Sequence, residues 1–137
     1  MENIKLLELA NEVMENSYSP YSLFAVGVAI EMKDGKVIRG VNVENASFGA
    51  TICAERSAIT AAISLGYKAQ DFKKIAITSK MNDITPPCAV CRQVMVEFFN
   101  SDVEIIMGNE NLKMQVTNIN ELVPFRFTES ELGDINV

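Results

Sequence analysis

The chain has 137 residues, of which 48% are hydrophobic and 22% are charged, and this composition is typical of a single globular domain, residues 1–137, with a substantial core. Its 12 basic and 18 acidic residues give a net charge of −6, which repels nucleic-acid backbones and anionic lipid. These totals argue against a nucleic-acid polymer or a membrane as partner and favour a small neutral molecule.

The segment 2–16 mixes acidic side chains with apolar ones, so it does not resemble a signal peptide. No apolar stretch approaches the roughly 20 residues that a membrane-spanning helix needs. We therefore expect a cytoplasmic protein, in which thiols stay reduced and are available to a metal.

Hydrophobic periodicity predicts a helix, a two-stranded hairpin, a helix, a strand, a helix and two further strands. The predicted ranges are 2–16, 24–32, 37–43, 51–65 (beginning at residue 51 or 52), 74–79, 88–99, 103–107 and 113–116. Asp34-Gly35 is typical of a hairpin turn, and Gly66 is a C-terminal helix stop. A short turn or helix is expected over 120–124, and partial order from Thr128 onward.

This order of elements predicts an α/β fold, a three-layer α/β/α sandwich with a mixed sheet of about five strands. Both cysteine-bearing segments fall where a loop enters a helix. The cysteine side chains are therefore expected at helix N-termini.

All three cysteines lie in two short segments of a chain without histidine. Cys88 and Cys91 share one face of a predicted helix, about 5–6 Å apart at Cβ, and Cys53 adds a thiol from the start of another helix. Catalytic zinc sites take three protein ligands and leave one position for water, whereas structural sites are usually closed by four. The count favours an open, catalytic Zn²⁺ site.

Three charged residues follow these cysteines. Glu55 lies two residues after Cys53, about 200° around a helix, so it should lie beside the metal, where a carboxylate can shuttle protons. Arg56 and Arg92 are placed to donate hydrogen bonds to sulfur and stabilise thiolate together with the helix dipoles. The alternatives are a redox C-x-x-C pair, a first-turn helix acid at Glu55 and a solvated Arg92.

The pairing of C-A-E-R with P-C-A-V-C-R resembles the thiolate variant of the zinc nucleobase-deaminase signature. Over nearly its whole length the chain is similar to the small homotetrameric cytidine deaminases. The segments that carry the resemblance are 18–27 (YSPYSLFAVG), 42–46 (NVENA), 51–56 (TICAER), 87–93 (PCAVCRQ) and 122–127 (LVPFRF).

The resemblance implies hydrolytic deamination of cytidine and deoxycytidine to uridine and deoxyuridine, with release of ammonia, as in pyrimidine salvage. Zinc held by Cys53, Cys88 and Cys91 would carry the hydroxide that attacks C4 of the base. Glu55 would shuttle protons to N3 and to the departing amine.

Substrate contacts are implied in the same way. Phe24 would pack against the pyrimidine, and Ala54 would offer its backbone to the base. Asn42 and Glu44 would bind the ribose hydroxyls, and Ala46 belongs to the same ribose-recognition segment.

The resemblance also implies a homotetramer with shared active sites, in which Phe48 and Phe127 reach into neighbouring pockets. The sequence gives independent support, because Phe48, Phe125 and Phe127 are apolar residues in predicted loop or tail segments. A domain of this size forms only a shallow cleft alone, whereas a nucleoside needs most of its surface enclosed.

Two other functions stay open at this point. The same chemistry would serve a cytosine-nucleoside antibiotic such as blasticidin S, although Asn42 and Glu44 favour ribose. A zinc-stabilised, non-catalytic interaction module would use Glu55 as its fourth ligand.

Overall fold

The computed structural model of the chain describes residues 1–133. In the tail, where the sequence predicts partial order from Thr128 onward, residues Glu129–Leu132 form a 3₁₀ turn. The last residues of this segment, 134–137, lie outside the described part. No helix among residues 1–133 has the length and apolar character needed to cross a membrane.

The elements follow the predicted order, and the differences lie at their boundaries. The helices are α1 (Asn3–Met14), α2 (Ala54–Ser64), α3 (Ala89–Phe98) and α4 (Ile119–Leu122), and the strands are β1 (Val26–Met32), β2 (Val37–Val41), β3 (Phe72–Ser79), β4 (Glu104–Gly108) and β5 (Met114–Thr117).

One boundary that matters for the site is the start of α2. The predicted start at residue 51 or 52 is wrong because Ile52 pairs with Val43 in an antiparallel bridge, with N–H···O distances of 2.9 and 3.0 Å. Backbone already bonded in an extended bridge cannot join a helix. Cys53 therefore becomes the N-cap residue of α2.

The strands form one mixed sheet in the order β2-β1-β3-β4-β5. Only the β3–β4 pair is parallel among the paired strands of residues 1–133. Because β2 and β3 are both antiparallel to β1, they run in the same direction, and their carboxyl ends lie at one edge of the sheet. The segments that follow β2 and β3 contain the predicted ligands, so the topology brings them together.

Helices cover both faces of the sheet, and the predicted three-layer sandwich is confirmed. One face packs on α1, and the other packs on α2, α3 and α4. The buried cluster on the α1 side contains Leu6, Leu7, Ala10, Ala29, Ala76 and Ile106. The larger cluster on the other face includes Val28, Ile30, Ile59, Ile75, Ile77, Met95, Ile105 and Ile119.

Gly40 fixes how closely α2 lies on the sheet. A Cβ at Gly40 would lie 2.6 Å from the Ala58 nitrogen and 2.8 Å from the Ala54 oxygen. The first turn of α2 therefore rests directly on the backbone of β2. This contact positions the cysteine that begins the helix.

Candidate active site

Three sulfur atoms meet at the starts of α2 and α3. Cys53 and Cys88 are the N-cap residues of these helices, and Cys91 lies in the first turn of α3. Their Sγ atoms all lie within 4.8 Å of one another, and the Cys53–Cys88 distance is 3.8 Å. Tetrahedral Zn–S bonds of about 2.3 Å place sulfurs about 3.8 Å apart. The three side chains therefore fit a zinc ion.

The charge around these sulfurs favours thiolate. The Cys91 thiol and the Arg56 guanidinium, whose Nη2 lies 3.4 Å from Cys53 Sγ, donate to the Cys53 sulfur and lower the pKa of Cys53 to about 5. The same contact with Cys53, together with burial, raises the pKa of Cys91. These contacts favour a thiolate at Cys53, and positive helix ends add to its stabilisation.

The hydrogen bonds of the Arg92 side chain go to backbone carbonyls and not to sulfur. Its Nε donates to the Pro87 carbonyl at 2.8 Å, and its Nη1 donates to the Leu122 carbonyl at 3.2 Å. The prediction of a hydrogen bond from Arg92 to a cysteine is therefore wrong. The guanidinium instead ties the start of α3 to the end of α4.

Glu55 is a buried carboxyl group beside the sulfur cluster. Its side chain is 5% exposed and lines the same cavity as Cys53 and Cys88. Burial raises the pKa of Glu55 to about 7, and the negative charge on Cys53 acts in the same direction. A group with this pKa can both hold and release a proton near neutral pH.

The sulfurs of Cys53 and Cys88 and the side chain of Glu55 form one end of a cavity of about 320 Å³, a volume within the range of small-molecule sites. Most of the predicted site residues contribute to its wall, namely Phe24, Asn42, Glu44, Cys53, Ala54, Glu55 and Cys88. Six further lining residues have no role predicted from sequence, namely Ser22, Val26, Thr51, Ile52, Thr85 and Pro86. All six lie in or beside the segments that carry the resemblance, and this adjacency is the sequence feature that could have identified them as lining residues.

The far end of the cavity is built by side chains that follow β2. The Asn42 amide donates to the Phe24 carbonyl at 2.7 Å, and its oxygen accepts from the Ser17 hydroxyl at 2.5 Å and the Val26 N–H at 3.0 Å. The Phe24 carbonyl is thus bonded to a side chain and not to a neighbouring strand, and β1 begins at Val26 and not at Phe24. The Asn42 amide has a second N–H, and the residue lines the cavity.

Glu44 makes a second set of contacts with the loop before β1. Its Oε1 accepts from the backbone N–H groups of Tyr21 and Ser22, both at 3.0 Å, and its Oε2 accepts from the Ser22 hydroxyl. Hydrogen bonds from Ser22, first from its hydroxyl and then from its backbone, lower the pKa of Glu44. The carboxylate is thus held in its charged form at the cavity wall.

Three of the predicted substrate-binding residues do not join this cavity. Ala46 is exposed in the loop after β2, and the side chains of Phe48 and Phe127 are 79% and 59% exposed. Among residues 1–133, the cavity wall contains none of the three. Within one chain they are surface residues.

Comparison with known proteins agrees with this geometry. The family model described as "Cytidine and deoxycytidylate deaminase zinc-binding region" matches residues 1–107. A protein named cytidine deaminase from Halalkalibacterium halodurans is 42% identical, over 98% of this chain and 100% of its own. A crystal structure of cytidine deaminase from Burkholderia pseudomallei superposes with a TM-score of 0.90 at 40% identity, over 93% of this chain and 100% of that chain.

A protein named blasticidin-S deaminase from Bacillus cereus is also similar, at 31% identity over 94% of each chain. The family match, the full-length relatives and the three-sulfur cluster beside a buried glutamate all point to the same class. The chain belongs to the cytidine and deoxycytidylate deaminase family.

Proposed function

We propose that this protein is an enzyme of pyrimidine salvage that hydrolyses cytidine and deoxycytidine to uridine and deoxyuridine, with release of ammonia. The observation that carries the proposal is the position of Glu55, a buried proton carrier, beside three sulfurs with zinc-like spacing, at a cavity lined by Glu55, Cys53 and Cys88. The full-length relatives named cytidine deaminase support this substrate.

Zinc bound by Cys53, Cys88 and Cys91 would supply Lewis acidity that makes water nucleophilic near neutral pH. Arg56 would offset the negative charge of three thiolates through its bond to Cys53. Without this donor, the thiolate charge would make the water harder to ionise.

Glu55 would perform the proton transfers. Its carboxylate accepts a proton from water, delivers it to N3 of the base and assists departure of the C4 amine as ammonia. The balance is one water consumed and one ammonia released for each nucleoside. Burial keeps bulk water from competing with Glu55 for these protons.

The rest of the wall would bind the nucleoside. The Phe24 ring packs against the base, and the backbone of Ala54 meets its polar edge. A sugar hydroxyl accepts from an N–H of the Asn42 amide, and another donates to the Oε2 atom of Glu44, since a carboxylate is a strong acceptor for O–H donors.

The working form would be a homotetramer with shared active sites. Phe48 and Phe127, exposed in one chain, would close the cavities of neighbouring subunits, and Phe125, 96% exposed, lies in the same tail. Large exposed aromatic side chains usually indicate an interaction surface.

The compartment we propose is the cytoplasm. Its reducing conditions suit a protein with three free thiols.

The test is an ultraviolet assay of cytidine loss, run beside cytosine, dCMP and blasticidin S. We expect turnover of cytidine and deoxycytidine and its loss with a chelator. A protein that melts at lower temperature with chelator and never consumes any nucleoside would be the interaction module with Glu55 as a zinc ligand, and the proposal would be wrong.

A second candidate function is deamination of blasticidin S, favoured by the relative of that name. It would use the same sulfurs and Glu55 on a different sugar. Higher kcat/KM for blasticidin S than for cytidine in the same assay would establish it.

A further inference from the structure

The loop that carries Phe24 to the cavity contains a strained turn. Leu23 adopts a left-handed backbone conformation with a φ of 59°, which is uncommon for a residue other than glycine. Its side chain is 84% exposed and so contributes little burial to hold the turn. One backbone bond, from Leu23 N–H to the Ser19 carbonyl at 3.0 Å, closes it. Other contacts must hold this conformation.

Glu44 supplies such contacts from outside the loop. Its carboxylate gathers the two successive N–H groups of Tyr21 and Ser22 and the Ser22 hydroxyl. Successive N–H groups around one anion form a stable concave arrangement. All three donors belong to residues that immediately precede Leu23.

Ser22 carries this connection past Leu23. Its Oγ donates to Glu44 and accepts from the Phe24 N–H at 3.0 Å. A continuous chain of bonds therefore runs from Glu44 through Ser22 to the backbone of Phe24. The carbonyl side of Phe24 is fixed separately by Asn42.

We propose that Glu44 and Ser22 are positioning residues for Phe24, acting through the strained turn at Leu23 in addition to the sugar contact of Glu44. The proposal rests on the proposed function, because Phe24 is taken to pack on the base. Ser22 thereby has a role in substrate binding. Glu44 has two effects, the contact with the sugar and the positioning of Phe24, and both are lost together in Glu44→Ala.

The test compares Glu44→Ala on cytidine and on 2′,3′-dideoxycytidine, whose sugar lacks the hydroxyls that Glu44 would receive. If Glu44 acted only through the sugar, its loss would not matter for the dideoxy compound. We expect the affinity for 2′,3′-dideoxycytidine, from KM or competition, to fall at least about tenfold, the size of one charge-assisted hydrogen bond. Ser22→Ala should lower the affinity for cytidine and for 2′,3′-dideoxycytidine by the same factor, and this factor should be smaller than the one for Glu44→Ala.

Two kinds of control sharpen this comparison. Glu44→Gln keeps an oxygen for the two N–H groups and an amide that can donate to Ser22, so it should restore affinity for the dideoxy compound. Glu8→Ala and Ser64→Ala change exposed helix residues of the same types and should leave affinity unchanged. Equal affinity of wild type and Glu44→Ala for 2′,3′-dideoxycytidine would overturn the positioning role.

A measurement without catalysis keeps this result separate from the proposed function. Amide hydrogen exchange in the zinc-loaded protein should show faster exchange of Tyr21, Ser22 and Leu23 in Glu44→Ala than in wild type or Glu8→Ala. Unchanged exchange at these amides would overturn the proposal. If the wild type fails to consume cytidine but the exchange changes as expected, the proposed substrate is wrong while the control of the turn by Glu44 stands.

Discussion

The two ends of the cavity are built in different ways. The metal end consists of Cys53, Cys88 and Glu55, which lie at the starts of helices that rest on the sheet. The other end, called the sugar end because we propose that it binds the ribose, consists of a loop whose shape depends on bonds that Asn42 donates and Glu44 accepts. Backbone packing positions the first end, and polar side-chain contacts position the second.

Because the two ends are held in different ways, we expect the metal end to control the reaction and the sugar end to control substrate binding. Helix starts fixed against a sheet hold ligands within the narrow tolerance that metal binding and proton transfer require. A loop held by a few hydrogen bonds adjusts more easily, so its residues should govern affinity and substrate range. Substitutions at the metal end should therefore abolish the reaction, and those at the sugar end should change binding.

The largest expected effect is the loss of a sulfur. Cys88→Ala removes one of three ligands, so zinc content should fall well below one equivalent per chain and deamination should become undetectable. Elemental analysis and the ultraviolet assay measure the two quantities. Val116→Ala, a change on β5 away from the cavity, should affect neither. One tightly held zinc in Cys88→Ala would contradict the ligand assignment.

The next effect concerns proton transfer with the metal end left intact. Glu55→Gln keeps the shape of the side chain but cannot carry a proton, so kcat should fall by about 10² to 10⁴ with zinc and melting temperature retained. The check is steady-state kinetics beside metal analysis, with Glu8→Gln as the exposed control. Activity near that of the wild type would make Glu55 a structural acid.

A paired substitution tests whether the two arginines differ as the contacts show. Arg56→Ala removes the donor to Cys53 and should weaken zinc affinity by about 10- to 100-fold, as outer-shell partners of metal ligands commonly do. Arg92→Ala breaks bonds to two carbonyls and should lower thermal stability while zinc affinity stays unchanged. Competition with a chelator measures both. Equal zinc loss in the two variants would count against the distinction.

The smallest effect should come from the tail. Phe127→Ala should raise KM by about 2- to 10-fold, the usual size of an aromatic contact, with zinc content unchanged. Sedimentation at the assay concentration should give a tetramer for the wild type. A fully active monomer would show that the site is complete within one chain.

Part of the metal end could be predicted from sequence because the spacing of Cys88 and Cys91 is local and places both thiols at the start of one helix. The approach of Cys53 is a tertiary contact, which the resemblance implied, and the structure does place three sulfurs together. The start of α2 could not be predicted from the local sequence, because it depends on the bridge between Ile52 and Val43, which joins two segments of the chain. The bond from Arg92 to Leu122 is likewise a tertiary contact.

The sugar end was predicted only as a set of residues. Sequence resemblance named Phe24, Asn42 and Glu44, and the structure places all three at the cavity. Their mutual bonds cannot be predicted in this way, because nothing in the spacing of these residues reveals a turn with a left-handed Leu23. The strand order of the sheet cannot be predicted from local patterns either, since it depends on pairing between distant strands.

The most direct test of the central claim is a zinc titration of the metal-free protein, with cytidine turnover followed at each addition. If three sulfurs hold one catalytic zinc beside Glu55, activity should rise linearly and stop rising at one equivalent per chain, and Glu55→Gln should bind the same equivalent without gaining comparable activity. Turnover that is independent of added zinc, or zinc binding at one equivalent without any turnover of cytidine, would contradict the account.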